Sequence, residues 1–317
     1  MIARRFSAFA YIILVLPTLP ALHADVTLRY KTESKLNPAL PAVMAGAMNG
    51  SPLTAPQESV LRLKNGKGFS SAPGYNSITD FTTQEITLLD ASTSHYAKIK
   101  ASELGGQVAG AMPKMPAEIG GMMASMKADV SPSRLTGRSA VIQGVDTEER
   151  EIVVSISGPV LPNMAPGPMV RVVMQMWTAK SGEVLRVPAI RELTGYSLWS
   201  WATMNPIAGM AEMMKQLPGL STTLEPMMIE MQKGTTMLRM HTDMFMPGMA
   251  AILQQMPGAG AGFDANAPLM QMDQEAVELS SAPVPDSVFQ IPEGFHETPA
   301  ADLFKGVFGK SQAAAKP

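Results

Sequence analysis

Several segments of the chain alternate apolar and polar residues with a period of two, which is typical of β-strands that bury one face. In "DVTLRYKTES", Val26, Leu28 and Tyr30 share one face, while Arg29 and Lys31 lie on the other. The same alternation runs through "ESVLRLKNGKGF", "EREIVVSIS" and "MVRVVMQMW". A helix would scatter these side chains around its axis, so the pattern predicts a mainly β protein with an antiparallel sheet.

Two of the predicted strand pairs depend on their turns. "SITDFTTQEITLLD" followed by "TSHYAKI" predicts two strands around a turn at Asp90 and Ala91. In "MQMWTAKSGEVLRV", Ser181 and Gly182 form a favourable pair for a hairpin turn. The segment after Gly182 is therefore predicted to return as a strand.

The stretch "TTMLRMHTDMFMPGM" holds five methionines and one histidine in residues 235–249. Its polar residues Arg239, His241 and Asp243 occupy odd positions, which predicts a strand whose polar face meets water. His241 is then expected among polar neighbours. The even positions form the inner, mainly apolar face: Leu238, Met240, Thr242, Met244 and Met246.

Four other segments carry apolar residues at helical spacing, and most of these residues are methionines. Short amphipathic helices of this kind need an apolar surface to lie on, so they are predicted to cover the sheet, with a helical insertion at about 203–234. The four stripes are Ile119, Met122, Met123 and Met126; Met210, Met213, Met214 and Leu217; Leu224, Met227, Met228 and Met231; and Met249, Ile252, Leu253 and Met256.

The first 24 residues have the composition of a secretory signal peptide. Arg4 and Arg5 precede an apolar run, and small residues up to Ala24 follow a proline break. Cleavage is predicted after Ala24, with Ala21 as the alternative, and the arginine pair leaves a twin-arginine route open. The apolar run is shorter than the roughly 20 residues of a spanning helix, so the mature protein is predicted to be periplasmic or secreted.

Composition narrows the classes of partner. The chain has no cysteine, so neither a disulfide nor a cysteine-linked lipid is available. Without Arg4 and Arg5 the net charge is near −4, and no basic run occurs, which argues against nucleic acid and anionic membrane surfaces. The length fits a single β domain over 25–298, followed by a flexible tail over 299–317 that is rich in alanine.

Four blocks of sequence resemble a family of secreted bacterial proteins of unknown function, whose sheet is similar to that of the lipoprotein carriers LolA and LolB. They are "NSITDFTTQEITLLDASTSHYAKI", "PSRLTGRSAVIQGVDTEEREIVVSI", "MQMWTAKSGEVLRVPAIREL" and "PLMQMDQEAVELSSAPVPDSVFQIPEGFHE". The resemblance implies a strongly curved antiparallel sheet, an open half-barrel with helices over its mouth. In the carriers the concave face of that sheet holds acyl chains.

Methionine dominates the functional question, because 27 methionines outnumber the 18 aromatic residues. The methionines fit three interpretations: a core in which they replace leucine, a deformable apolar lining for varied ligands, or a copper(I) site built from thioethers. The M-x-M spacings at Met174/Met176, Met244/Met246 and Met270/Met272 favour the third interpretation. Leucine, isoleucine and valine on the same faces oppose it.

No catalytic motif is present, and the His241/Asp243 pair alone does not indicate an enzyme. The sequence therefore predicts a non-catalytic protein without a cofactor that binds a lipid or another hydrophobic ligand in an apolar cavity. Face and period select its candidate lining residues: Met174, Met176, Met210, Met213, Met214, Met240, Met244 and Met246.

Overall fold

The computed structural model of the chain describes residues 24–40, 55–72, 75–111, 126–158, 168–204, 236–248, 264 and 266–304. These residues form strands β1 Val26–Leu36, β2 Gln57–Lys64, β3 Lys67–Ala72, β4 Tyr75–Asp80, β5 Glu85–Asp90, β6 His95–Lys100, β7 Lys127–Val130, β8 Arg134–Ile142, β9 Val145–Ser157, β10 Val170–Ala179, β11 Met237–Phe245, β12 Met270–Ser280 and β13 His296–Glu297. They also form helices α1 Leu104–Ala111, α2 Glu183–Arg186 and α3 Pro188–Met204, and 3-10 turns at Ala101–Glu103 and Asp286–Phe289.

The strands make one large open sheet in the order β13-β6-β5-β4-β3-β2-β1-β12-β11-β10-β9-β7, and β8 also pairs with β9. Within the described residues every pairing is antiparallel except the short parallel contact of β13 with β6. The prediction of a mainly β protein with an antiparallel sheet is confirmed. The predicted strand at residues 235–249 is also confirmed as β11, with Leu238 and Thr242 of its even face buried.

The structure adds one turn that the sequence does not predict. The segment predicted as one strand before Asp90 is the hairpin β4–β5, because Asp80 Oδ1 accepts hydrogen bonds from the backbone N–H groups of Thr82 and Thr83 and turns the chain. The turn after β5 lies near its predicted place, where Asp90 Oδ1 accepts a hydrogen bond from the Ser92 N–H group.

The predicted hairpin at Ser181 and Gly182 is wrong, since the chain continues into α2 and α3 instead of a strand. Pro188 suits the first turn of a helix because its missing N–H group has no intrahelical partner there. Ala189, Ile190 and Leu193 then recur at helical spacing and are buried.

Helix α3 packs on the largest core cluster. Its residues Ile190 and Leu193 join Val26 of β1, Leu238 of β11 and Ala276 of β12 in that cluster, which also draws on β2, β8, β9 and β10. Burying a side chain of this size contributes about 1.5 to 3 kcal/mol. The helix therefore holds together strands that lie far apart in the sequence.

A second cluster corrects the prediction for the C-terminal tail. Residues 300–304 are helical, and Leu303 and Phe304 are buried against Ile86 and Ile99, so the first part of the predicted flexible tail is packed. Residues 305–317 lie outside the described part of the chain.

Several other predictions fall partly or wholly outside the described residues. They are the signal peptide up to residue 23, nearly all of the four methionine-striped helices, and the insertion at 203–234 except for Thr203 and Met204, which end α3. Among the described helices, none has the length and apolar character that a membrane crossing requires.

Candidate functional site

Strands β10, β11 and β12 bring methionines together on one face of the sheet. Met176 of β10 lies directly opposite Met240 of β11, and Met244 of β11 lies opposite Met270 of β12. Met174 and Met272 flank β11 residue Thr242 from its two sides. Side chains of directly paired residues point to the same face, with Cβ atoms about 4.5 to 5.5 Å apart. We call this surface the methionine face: Met174, Met176, Met240, Met244, Met270 and Met272.

The methionine face is partly shielded from water. Met270 is buried, and the other five methionines are half-buried. Ile152 and Val154 of the neighbouring strand β9 are buried and share this face, because Ile152 pairs with Met174. The face is therefore an apolar extension of the interior that still reaches solvent.

Several polar residues interrupt the methionine face, since Gln274 pairs with Met240 and Arg150 pairs with Met176. Thr242 is buried in the centre of the face, between Met174 and Met272, and its hydroxyl has no hydrogen-bond partner among the described residues. A buried hydroxyl without a partner costs free energy, commonly about 1 to 3 kcal/mol. Thr242 is therefore an unsatisfied polar group beneath this face.

Five of the eight candidate lining residues lie within the described part of the chain, and three lie outside it. Met174, Met176, Met240 and Met244 lie on the methionine face. Met246 is half-buried just beyond the end of β11. Met210, Met213 and Met214 lie outside the described residues.

Two members of the methionine face, Met270 and Met272, were absent from the candidate lining set. Their M-x-M spacing marks them in the sequence as residues of one strand face. The information that was missing is the pairing of β12 with β11 and β1, because the partners are separated by tens to hundreds of residues and no local signal specifies them.

The opposite face of β11 is polar. His241 Nδ1 lies 2.7 Å from Asp273 Oδ1, and His241 Nε2 lies 3.2 Å from Asp243 Oδ1. Asp243 also accepts a hydrogen bond of 2.8 Å from Gln271 Nε2. The prediction that His241 lies among polar neighbours agrees with these contacts.

Electrostatics favour the protonated form of His241. Partial burial by itself lowers the pKa of the imidazole, but the hydrogen bond to Asp273 and the charges of Asp243 and Asp273 outweigh it, so the pKa of His241 is raised. An imidazolium between two carboxylates is a stable ion cluster. Such a cluster does not by itself indicate catalysis.

Metal binding by acidic and imidazole groups has no support in the described part of the chain. No group of three or more histidine, aspartate and glutamate side chains is arranged there to hold an ion. Thioethers are a separate case, because soft sulfur ligands select copper(I) without carboxylates. The Met176/Met240 pair places two such ligands side by side.

Comparison with known proteins assigns the chain to no family. No protein-family model matches the chain, and no curated protein matches it. The resemblance to a LolA-like or LolB-like sheet therefore stays a prediction from the sequence.

Proposed function

We propose that this chain is a non-catalytic periplasmic or secreted binding protein that takes a lipid or another hydrophobic ligand on its methionine face. The observation that supports the proposal best is the placement of six methionines on one face of three adjacent strands, half-buried except for Met270. Residues that only fill a core would be buried throughout.

Methionine suits such a surface for a physical reason. Its side chain is unbranched and polarisable, so it adapts to ligands of different shape at little cost in torsional energy. Each ligand methylene removed from water contributes about 0.8 kcal/mol. An acyl chain spread over the methionine face would gain enough from a few methylenes to bind, and the Thr242 hydroxyl is the polar group nearest the centre of that face.

Copper(I) is the second candidate, and the direct opposition of Met176 and Met240 is the observation that favours it. Cross-strand Cβ atoms about 5 Å apart allow both sulfur atoms to reach one ion. The two candidates differ in what they require of the side chain. A hydrophobic ligand needs apolar volume, whereas copper(I) needs sulfur.

Two double variants at the same positions separate the candidates. Met176→Leu with Met240→Leu keeps the apolar volume but removes both thioethers. Met176→Gln with Met240→Gln makes the surface polar. Val141→Gln, at an exposed position of β8 outside the methionine face, is the control. Each protein is exported, purified without detergent, examined by native mass spectrometry for bound lipid and copper, and titrated with a fluorescent fatty acid.

The proposal predicts that the wild type and the leucine variant bind the fatty acid with similar affinity, and that the glutamine variant binds it at least about tenfold more weakly. Copper at a fixed ratio in the wild type, lost in the leucine variant, would instead establish the metal site. A wild-type protein that binds neither lipid, fatty acid nor copper has a purely structural β-sheet, and the proposal is then wrong.

A further inference from the structure

A hollow lies away from the methionine face, where α3 crosses the β2–β3 hairpin. It has a volume of about 180 Å³. Its apolar walls are Leu63 of β2, Phe81 after β4, and Tyr196 and Trp199 of α3. We call it the aromatic hollow.

The aromatic rings form one continuous wall. The Phe81 ring centroid lies 4.6 Å from that of Trp199 and 5.5 Å from that of Tyr196, and both pairs are tilted by 39°. Such tilted pairs stabilise one another beyond the area they bury. The wall is therefore held in place before any ligand arrives.

The size of the aromatic hollow limits the ligand. An apolar cavity of roughly 150 Å³ is known to accept benzene, so about 180 Å³ accepts a single six-membered ring or a branched group of similar size. A long acyl chain does not fit. The hollow is thus suited to a smaller ligand than the one proposed for the methionine face.

The charges at the rim favour an anion. Lys64 and Lys67 flank the hairpin turn at Asn65 and Gly66, and all four residues border the aromatic hollow. Lys64 is held by Asp286, but the exposed Lys67 makes no ion pair within the described part of the chain. Glu192 borders the same hollow and makes an interaction of its own.

The polar side of the turn offers room for a charged group. A second hollow of about 350 Å³ shares Lys64, Asn65 and Lys67 with the aromatic hollow and continues to Asp286 and Gln290. The shared residues join an apolar slot to a polar one, with the exposed Lys67 ammonium at the junction, where its charge also acts on Asp80 and Asp286. A ligand spanning both must carry a ring at one end and a negative charge at the other.

We propose that the aromatic hollow is a binding site for a small amphipathic anion, an aryl-alkyl carboxylate, with the ring against Phe81, Tyr196 and Trp199 and the carboxylate at Lys67. This site is separate from the methionine face and does not depend on the function proposed for it. A ligand of this size and polarity is expected to bind with a Kd on the order of 0.1 to 1 mM.

The test uses 4-phenylbutyrate and its uncharged counterpart 4-phenylbutanol, titrated into the exported chain by isothermal titration calorimetry. Gly195 borders the hollow, and a Cβ atom built on it meets nothing within 4 Å, so Gly195→Leu fills the hollow without a clash. Gly106→Leu is the matched control, because Gly106 also lies in a helix and has open space at its Cβ position but does not border the hollow. Lys67→Gln removes the charge, and Lys127→Gln in β7 is its control.

We expect Gly195→Leu to weaken the binding of 4-phenylbutyrate by more than about tenfold, and Gly195→Ala to weaken this binding less. Lys67→Gln should lower the affinity for the carboxylate by up to about fivefold and leave the affinity for the alcohol unchanged. The two control variants should bind as the wild type does. The proposal is overturned by absent binding in the wild type, by unchanged affinity in Gly195→Leu while its melting temperature is normal, or by equal affinity of wild type for acid and alcohol.

Discussion

The side-chain amide of Gln143 donates a hydrogen bond of 3.2 Å to the backbone carbonyl of Ala276. Gln143 lies in the turn between β8 and β9, and two strands separate β9 from β12 in the sheet order. In a flat sheet with about 4.8 Å between strands, β9 and β12 would be roughly 14 Å apart, beyond the reach of a glutamine. The tip of the β8–β9 hairpin therefore folds across the ends of β10 and β11.

The turn that makes this contact needs its glycine. Gln143 and Gly144 both have positive φ, +52° and +77°, as in the tight turns that join twisted strands. Replacing Gly144 by alanine places a Cβ atom in a left-handed conformation, which costs about 1 kcal/mol. We expect Gly144→Ala to lower the free energy of unfolding by that amount in urea titrations.

Gly182→Ala is the control for this prediction. Gly182 has an ordinary φ of −65° and open space at its Cβ position, so alanine there should be neutral or stabilise by up to about 1 kcal/mol. Equal effects of the two substitutions would show that the strain at Gly144 is not a feature of the protein in solution.

A second glycine fixes the aromatic wall of the hollow. A Cβ atom on Gly68 of β3 would lie 3.3 Å from Phe81 Cζ and 3.4 Å from Leu63 Cδ2, tighter than ordinary contact. Gly68→Ala must therefore displace the Phe81 ring, at a cost of about 1 to 3 kcal/mol. Thermal or urea unfolding should show this loss.

A double-mutant cycle tests whether Phe81 is the cause. In a Phe81→Leu background the clash with the ring is absent, so the added Gly68→Ala should cost less than it does in the wild type. Additive losses would mean that Phe81 does not lie over Gly68.

Much of the sheet could be predicted from the sequence, because alternation is a local signal. Strands β1, β9 and β11 show it directly, since each carries apolar and polar residues on opposite faces. The hairpin β4–β5 is not predicted because its turn at Phe81–Gln84 contains neither glycine nor proline, and the Asp80 side chain that turns the chain is a weaker signal. Helix α3 is not predicted although Pro188, Ile190 and Leu193 follow a helical pattern, because the preceding Ser181–Gly182 pair is also typical of a hairpin turn.

The candidate site could be predicted only in part for a different reason. Period alone places Met174 with Met176 on one face of β10 and Met240 with Met244 on one face of β11, but the pairing that joins these two faces is seen only in the structure. The aromatic hollow joins β2, Phe81 and α3, whose contacts cross more than a hundred residues. Such contacts depend on tertiary packing, and nothing in the local sequence specifies them.

The ion cluster at His241 predicts that the stability of the folded state depends on pH. Burial lowers the pKa of His241, but Asp273 and Asp243 raise it by a larger amount, so the pKa in the folded protein lies above the usual 6.5. A raised pKa means that the folded state gains stability from the protonated imidazole. That gain is complete below about pH 6.5 and is lost as the pH rises through the folded pKa.

Titration of the His241 ring protons by NMR measures this pKa directly. Asp273→Asn removes one charge and the 2.7 Å contact, so the pKa of His241 should fall. Asp264→Asn, at a carboxylate outside this cluster, should leave it unchanged. A wild-type pKa below 6.5 would mean that the desolvation of His241 dominates and that the carboxylates do not stabilise the charge.

The contacts of Lys64 hold the start of β1 to the segment before the Asp286–Phe289 turn, which gives a further prediction. Its Nζ atom donates a hydrogen bond of 2.6 Å to the Val284 carbonyl and lies 2.9 Å from Asp286 Oδ1 and 3.7 Å from Asp25 Oδ2. Asp25 Oδ2 in turn accepts a hydrogen bond of 2.7 Å from the Val284 N–H group. Lys64→Met keeps the aliphatic stem, removes the ammonium and leaves two neighbouring carboxylates without it.

We therefore expect Lys64→Met to lower the urea midpoint clearly more than Lys98→Met, because in the described part of the chain Lys98 has a single carboxylate within 4 Å, that of Glu85 at 3.8 Å. The difference between wild type and Lys64→Met should also depend on pH. The hydrogen bond from Lys64 lowers the pKa of Asp286, so the stabilisation is present above the ordinary aspartate pKa and is lost as the pH falls through the folded value. A midpoint difference that stays constant from neutral to strongly acidic pH would show that the ammonium acts only by packing and that the ion pair does not hold these two segments together.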